Sequence, residues 1–195
     1  MPSTRDTIIN AASSLFYRQG LRAVSMDAIA EKAGLTKRSL YYHFKSKDDV
    51  IEACLQARDQ PNLDAFESWF RAADGDAGAK VRALFVHLAA AAGRPTWKGC
   101  GFLRTAAELV GMPGHPAIRA ANHHKTRFED WLRGALEAEG LADAGPLSQQ
   151  LRLLLDGAFS VVLLNRDVAY MNIAGDAAET LVRAWAHAAA QENRR

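Results

Sequence analysis

The sequence predicts an all-α protein, a short N-terminal three-helix module followed by a longer helical domain. Three observations carry this. Apolar residues recur at steps of three and four through almost every segment, as on amphipathic helices. Capping residues and glycines bracket those segments. No stretch shows the period-two alternation of a half-buried strand.

The first helix carries Ile8, Ala11, Ala12, Leu15 and Phe16 on one face. Ser3 to Asp6, "STRD", reads as a capping box at its start, and Gly20 stops it. Ser25 caps a short second helix with Met26, Ile29, Ala30 and Ala33 inward. Gly34 ends that helix, and Thr36 caps a third running to about Phe44. "SKDD", from Ser46 to Asp49, opens a long fourth helix with Val50, Ile51, Cys54, Leu55, Phe66 and Phe70. Pro61 is expected to kink or interrupt it. The periodicity returns with Val81, Leu84, Phe85, Leu88 and Ala92, and Gly93 to Gly101 reads as a loop. A short helix from about Phe102 to Val110 comes next, then one from Pro116 with Ile118, Ala121, Lys125, Phe128 and Leu132 on a face. Leu147–Arg166 and an Ala-rich helix over about Ile173–Gln191 complete the chain. The domains expected are residues 1–47 and 48–195, with the fourth helix as connector.

Composition narrows the function classes. Hydrophobic residues make up 49% and charged residues 24% of the 195, which suits a packed globular core. The longest apolar runs, such as Val161 to Asn165, fall short of the ~20 residues of a membrane span. Residues 1–20 carry polar and charged positions throughout, so no signal peptide is expected and the cytoplasm is the default location. Cys54 and Cys100 match no metal or redox spacing. His123 and His124 point about 100° apart on a helix and cannot chelate together, so no metal and no cofactor is expected. No nucleophile–base pairing, phosphate-cradling glycine loop or carboxylate constellation is present, which argues against an enzyme.

Charge is distributed unevenly. Residues 1–47 hold eight Lys/Arg against three acids, and the remainder holds 16 against 19. The basic first quarter therefore suits a polyanion. Within it, Gly34 to Lys47, "GLTKRSLYYHFKSK", combines two tyrosines, a histidine and four cations with no acid. Two short helices joined at Gly34 form a helix-turn-helix, whose second helix can lie in the DNA major groove. Leu40 and Phe44, four apart, face the small core. Thr36, Lys37, Arg38 and Tyr41 lie on the other side or at the free end, where base edges are reached. Tyr42, His43 and Lys47 flank them and can donate to phosphates, and Ser25 sits at the cap of the preceding helix.

The segment Met26 to Ala53 resembles the DNA-binding domain of the tetracycline-repressor (TetR) family of bacterial transcription regulators, over roughly residues 5–54. The pattern G-[LV]-[ST]-x-x-[ST]-[LI]-Y-x-[HY]-F-x-x-K is met at every position from Gly34 to Lys47. "GCGFLRTAAEL" and the helix after His115 are similar to one branch of the family. The resemblance implies about nine helices, a homodimer on a palindromic DNA operator, and a small-molecule effector pocket in the C-terminal domain. A ligand-responsive regulator, acting as a repressor, is the expectation; the alternative is an architectural DNA-binding protein without an effector.

Ten of the 14 residues from Leu151 to Leu164 are apolar and not confined to one stripe, so this helix needs partners on two sides. The expected dimer interface therefore takes Leu151, Leu155, Ala158 and Val162 from it, with Ala178, Leu181 and Trp185 from the Ala-rich helix. The expected effector pocket is mainly apolar and takes Leu88, Phe102, Thr105, His124, Phe128, Trp131 and Phe159, aromatic walls with a few polar groups drawn from several helices. Core packing accounts for several of these residues equally well.

Overall fold

The computed structural model describes residues 3–192, which contain nine α-helices and no strand. The helices are α1 (Thr4–Gln19), α2 (Met26–Lys32), α3 (Lys37–His43), α4 (Lys47–Ala72), α5 (Ala77–Ala92), α6 (Gly101–Glu108), α7 (Pro116–Ala138), α8 (Gly145–Asn165) and α9 (Ala169–Glu192). They group into two compact units. The first runs to Asn62 and includes Cys100–His124; the second comprises Leu63–Gly99 and the chain from Lys125 onward. The divisions fall inside α4 and α7.

In the first unit, local signals set the helix ends. The Ser3 hydroxyl accepts from the Asp6 N–H at 3.1 Å while Asp6 accepts from the Ser3 N–H at 3.1 Å, a reciprocal capping box. Ser46 and Asp49 cap α4 in the same way: the Asp49 carboxylate accepts from the Lys45 and Ser46 N–H groups, and Asp49 donates back to Ser46. The core joins Ile8, Ala12 and Phe16 to Ile29, Leu40, Phe44, Val50 and Ile51, with Phe102, Leu109 and Ala117 against them.

The turn between α2 and α3 depends on Gly34, whose φ of 67° is left-handed. The Leu35 N–H donates to Ala30 O at 2.9 Å and the Gly34 N–H to Glu31 O at 3.0 Å, the paired bonds of a Schellman motif. A β-carbon at Gly34 would meet no atom within 4 Å, so substitution is opposed by backbone conformation alone. Gly34→Ala is expected to destabilise the chain by about 1–2 kcal/mol, read from the urea midpoint at unchanged slope.

Pro61 lies inside α4 and does not interrupt it, which removes one of the two outcomes that the sequence left open. Packing on both sides holds the helix through it: Val50, Ile51, Cys54 and Leu55 are buried before it, and Leu63, Phe66 and Phe70 after it. The division between the units falls one residue beyond, after Asn62.

In the second unit α5 packs on α9 and α8 on α9. Small residues set the first contact: a β-carbon at Gly175 would stand 2.8 Å from Phe85 Cβ. Asp76 caps α5 by accepting from the Ala79 N–H at 2.8 Å, and Arg183 of α9 donates to the same carboxylate at 2.9 Å. The Arg183 hydrogen bond holds the Asp76 carboxyl below its ordinary value. This tie therefore acts above the usual carboxylate range and fades as pH falls through the depressed value. The last helix starts a turn earlier than Ile173, because the Asp167 side chain accepts from the Ala169 N–H at 2.9 Å. By length and composition α8 could cross a membrane, more than its apolar runs suggested; here Leu147, Leu151, Leu155, Ala158, Phe159 and Val162 are core residues.

Candidate nucleic-acid interface

The third helix is seven residues long, about 10 Å of axis, and fits a major groove about 12 Å wide. Thr36 sets its start: in extended backbone, its hydroxyl accepts from the Ser39 N–H at 3.2 Å. Leu40 and Phe44 anchor the inner side and are buried. Arg5 of α1 lies 5.1 Å over the Phe44 ring, which fixes that end. With the inner face anchored, Thr36, Arg38, Ser39, Tyr41 and Tyr42 together line a shallow groove of about 570 Å3 on the solvent side.

The aromatic content of the segment is consequently exposed. Tyr42 is 86% accessible and Tyr41 44%. Tyr42 meets His43 edge-on, with ring centroids 5.2 Å apart, and His43 is half-buried. Neither ring serves the core, as Leu40 and Phe44 do. Lys37 is held differently from Arg38: its ammonium lies 2.8 Å from Asp27 of α2, a pairing that raises its pKa above the ordinary value. A base contact by Lys37 must displace this partner, whereas Arg38 lines the groove directly. Ser25 is exposed, its hydroxyl accepting from the Ala28 N–H at 3.1 Å, and Lys47, half-buried, is the first residue of α4. Ser39 and Asp27 escaped sequence reasoning; Asp27 lies ten residues from Lys37, a spacing that no single-helix pattern pairs.

This interface is tied to α6 within the first unit. The Glu108 carboxylate accepts from the Leu21 N–H at 2.7 Å, and Arg104 Nη1 donates to Tyr17 O at 3.1 Å. Both bonds grip the C-terminal end of α1 and the turn after it.

The seven expected effector residues divide between the two units. In the first, Phe102 stacks on His124 at 3.8 Å, and the His124 Nδ1 lies 2.7 Å from an Asp59 carboxylate oxygen. Thr105 lines a small cavity of about 50 Å3 with Tyr17, Arg58 and Cys54. In the second, Phe128 meets Trp131 at 5.8 Å and Phe66 at 4.7 Å, Phe159 lies under the Lys125 ammonium at 5.7 Å, and Leu88 is buried.

The expected dimer residues differ in exposure. Leu151, Leu155, Ala158, Val162 and Ala178 are all buried within the single chain. Leu181 and Trp185 are half-buried, and the Trp185 indole N–H donates to Ala142 O of its own chain at 3.1 Å. The apolar face left open on α8 is the opposite one. Leu153 and Leu164 are 73% and 81% accessible there, with Gly157 and Val161 between them at helical spacing. On α9 the corresponding stripe is Ile173, Ala177, Ala184 and Ala188.

The remaining chemistry is muted. Burial pushes the Cys54 thiol up to about 11, so it stays protonated and unreactive at neutral pH. His115 Nδ1 accepts from the Ala117 N–H at 3.1 Å, so this histidine shapes the start of α7. Its Nε2 lies 3.2 Å from Asp48 but off-axis for a hydrogen bond.

Comparison with known proteins agrees with this geometry. The family described as bacterial regulatory proteins, tetR family, matches residues 8–54. Over 58 residues the chain is 43% identical to the HTH-type transcriptional regulator SrpR of Pseudomonas putida, a match covering 30% of this chain and only 27% of that relative's length. The HTH-type transcriptional regulator YjdC of Escherichia coli is 24% identical over 92% of this chain and 93% of its own. A TetR-family transcriptional regulator from Streptomyces coelicolor has a similar structure, with a TM-score of 0.79 and 29% identity over 92% of this chain and 94% of that one.

Proposed function

We propose that this chain, a DNA-binding transcriptional regulator of the TetR family, is a cytoplasmic repressor that holds a palindromic operator as a homodimer and releases it on binding a small molecule. The observation that carries the reading is the third helix, whose buried Leu40 and Phe44 leave Thr36, Arg38, Tyr41 and Tyr42 together on its open face. Arg38 reads a guanine edge, Tyr41 meets a base or its methyl group, and Tyr42, His43 and Lys47 hold phosphates. Lys37 adds a base contact once it leaves Asp27. A two-fold dimer sets two such helices about one helical turn of DNA, or a multiple, apart.

The proposed effector is mainly apolar; its candidate contacts are Phe102, Thr105 and His124 in the first unit and Leu88, Phe128, Trp131 and Phe159 in the second. Phe102 and Thr105 belong to α6, the helix whose Arg104 and Glu108 grip α1. A ligand that shifts α6 would pull on the DNA-binding helices. It acts only through different affinities for the two arrangements.

The test begins with selection of bound duplexes from fragmented genomic DNA, followed by anisotropy on the selected site and a scrambled one. Arg38→Ala should lose about 1–3 kcal/mol of discrimination between the two. Tyr42→Ala should weaken both equally. Lys37→Ala should lose less discrimination than Arg38→Ala, because its ammonium already has a partner in the free protein. Unchanged curves for all three variants would overturn the assignment.

A further inference from the structure

A cavity of about 50 Å3 lies inside the first unit, where α1, α4 and α6 meet. Phe16, Leu21, Ile51 and Leu55, all buried, supply its apolar wall. In the same wall the Ser13 hydroxyl meets the Cys54 thiol, which burial keeps protonated and neutral. Three charged side chains complete the lining: Arg58 is exposed, and Arg104 and Glu108 are half-buried. Arg104 and Glu108 offset each other, with Nη2 and Oε1 4.0 Å apart. Both are also engaged with α1 and the turn after it, Glu108 with the Leu21 N–H at 2.7 Å and Arg104 with Tyr17 O at 3.1 Å. The Arg58 guanidinium lies over the Tyr17 ring, 5.8 Å from its centroid, and no carboxylate among the described residues pairs with it.

We propose that this cavity takes a short-chain carboxylic acid anion, its alkyl chain in the apolar hole and its carboxylate on Arg58. The size sets the chain: 50 Å3 has room for about three to five water-sized groups, which suits an acid of about three to five carbons. A wall of hydrocarbon gives water few partners, so methylene groups gain by replacing it. The charge sets the head group. With Arg104 and Glu108 offsetting each other, the lining keeps one positive charge, and a guanidinium meets a carboxylate through two parallel N–H···O bonds. The Tyr17 ring gives that guanidinium a platform, with Arg104 5.6 Å from the same ring. An inorganic anion would satisfy Arg58 and leave the hole unfilled. The site shares Thr105 with the proposed effector residues and takes nothing from the second unit. Because Arg104 and Glu108 tie α6 to α1 in its lining, a bound acid braces that junction.

Saturation-transfer NMR on the full chain, without DNA and at a constant ionic strength of about 0.15 M, tests the site with butyrate, acetate and the neutral isostere butyramide. Butyrate should saturate in the millimolar range, as befits a ligand of so few atoms. Acetate leaves the hole unfilled and butyramide lacks the charge, so each should bind at least about fivefold more weakly. Arg58→Gln should bring butyrate down to the level of butyramide and leave butyramide unaffected. Ser13→Leu should remove butyrate binding altogether by filling the hole. Arg71→Gln, at an exposed position paired with Glu67 in the second unit, should leave it unchanged. Thermal melts establish that each variant is folded. Equal affinity for butyrate and butyramide, a preference for the acid that survives Arg58→Gln, or saturable binding that survives in folded Ser13→Leu would each overturn the proposal. Because DNA is absent from the binding measurement, its failure leaves the operator reading untouched.

Discussion

Replacing Leu153 and Leu164 by glutamate should convert the protein to a folded monomer with operator affinity about 10²–10⁴-fold lower, the avidity of two linked half-sites. Both side chains lie on the open face of α8, so neither substitution disturbs the core of the single chain. In a dimer, each would carry an unpaired carboxylate into an apolar interface, at a cost of several kcal/mol. Light scattering at micromolar concentration reads the first effect and fluorescence anisotropy on the operator the second. Leu151→Glu supplies the contrast. Leu151 is buried inside the unit, so this change should unfold the chain rather than dissociate it. A wild-type protein that is monomeric at micromolar concentration, or a double variant that remains dimeric, would sink the interface assignment.

The two faces of α8 show what the sequence could and could not disclose. Ten apolar residues in 14 revealed that the helix needs partners on both sides. Periodicity separates two faces but does not say which of them turns inward. Which face turns inward depends on α9 and on the rest of the second unit, through contacts distant in sequence. Helix ends were readable for the opposite reason. Ser3 with Asp6, Ser25, Thr36 and Gly34 act on backbone groups within a turn of themselves, so the local string nearly determines them. The helix continues through Pro61 because the local cost of the proline is opposed by packing on either side of it.

The candidate DNA site was legible as a string of residues and less so as a set of contacts. Leu40 and Phe44 had to be inward by spacing, which left the tyrosines and Arg38 outward. The Lys37–Asp27 pair joins α3 to α2, and the Glu108–Leu21 bond spans 87 residues. Neither follows from any one-helix pattern. The expected effector residues are a harder case still, since they come from four helices and divide between two units.

Asp156→Ala should destabilise the chain by about 3–5 kcal/mol, although it removes only a small polar side chain. The Lys125 side chain is 8% accessible, its ammonium pairs with the Asp156 carboxylate, and the Phe159 ring lies 5.7 Å away. Arg152 completes the network, donating to Glu129 at 2.9 Å and lying 4.0 Å from Asp156. Without Asp156, a buried ammonium keeps its desolvation penalty and loses its partner. Arg152 cannot take over, because it carries the same sign. Lys125→Met in the same background removes the orphaned charge and keeps much of the aliphatic volume, so Asp156→Ala/Lys125→Met should recover most of the loss. Urea unfolding of the wild type, both single variants and the double variant closes the cycle, and the coupling should exceed about 1 kcal/mol. Additive losses would mean that the pair contributes nothing specific. Coupling of the expected sign would place a charge-paired, conformationally demanding cluster between α7 and α8, beside Phe159 of the proposed effector pocket. A neutral apolar ligand could then meet the Phe159 ring without breaking the ion pair, whereas an anionic one would compete with Asp156 for Lys125.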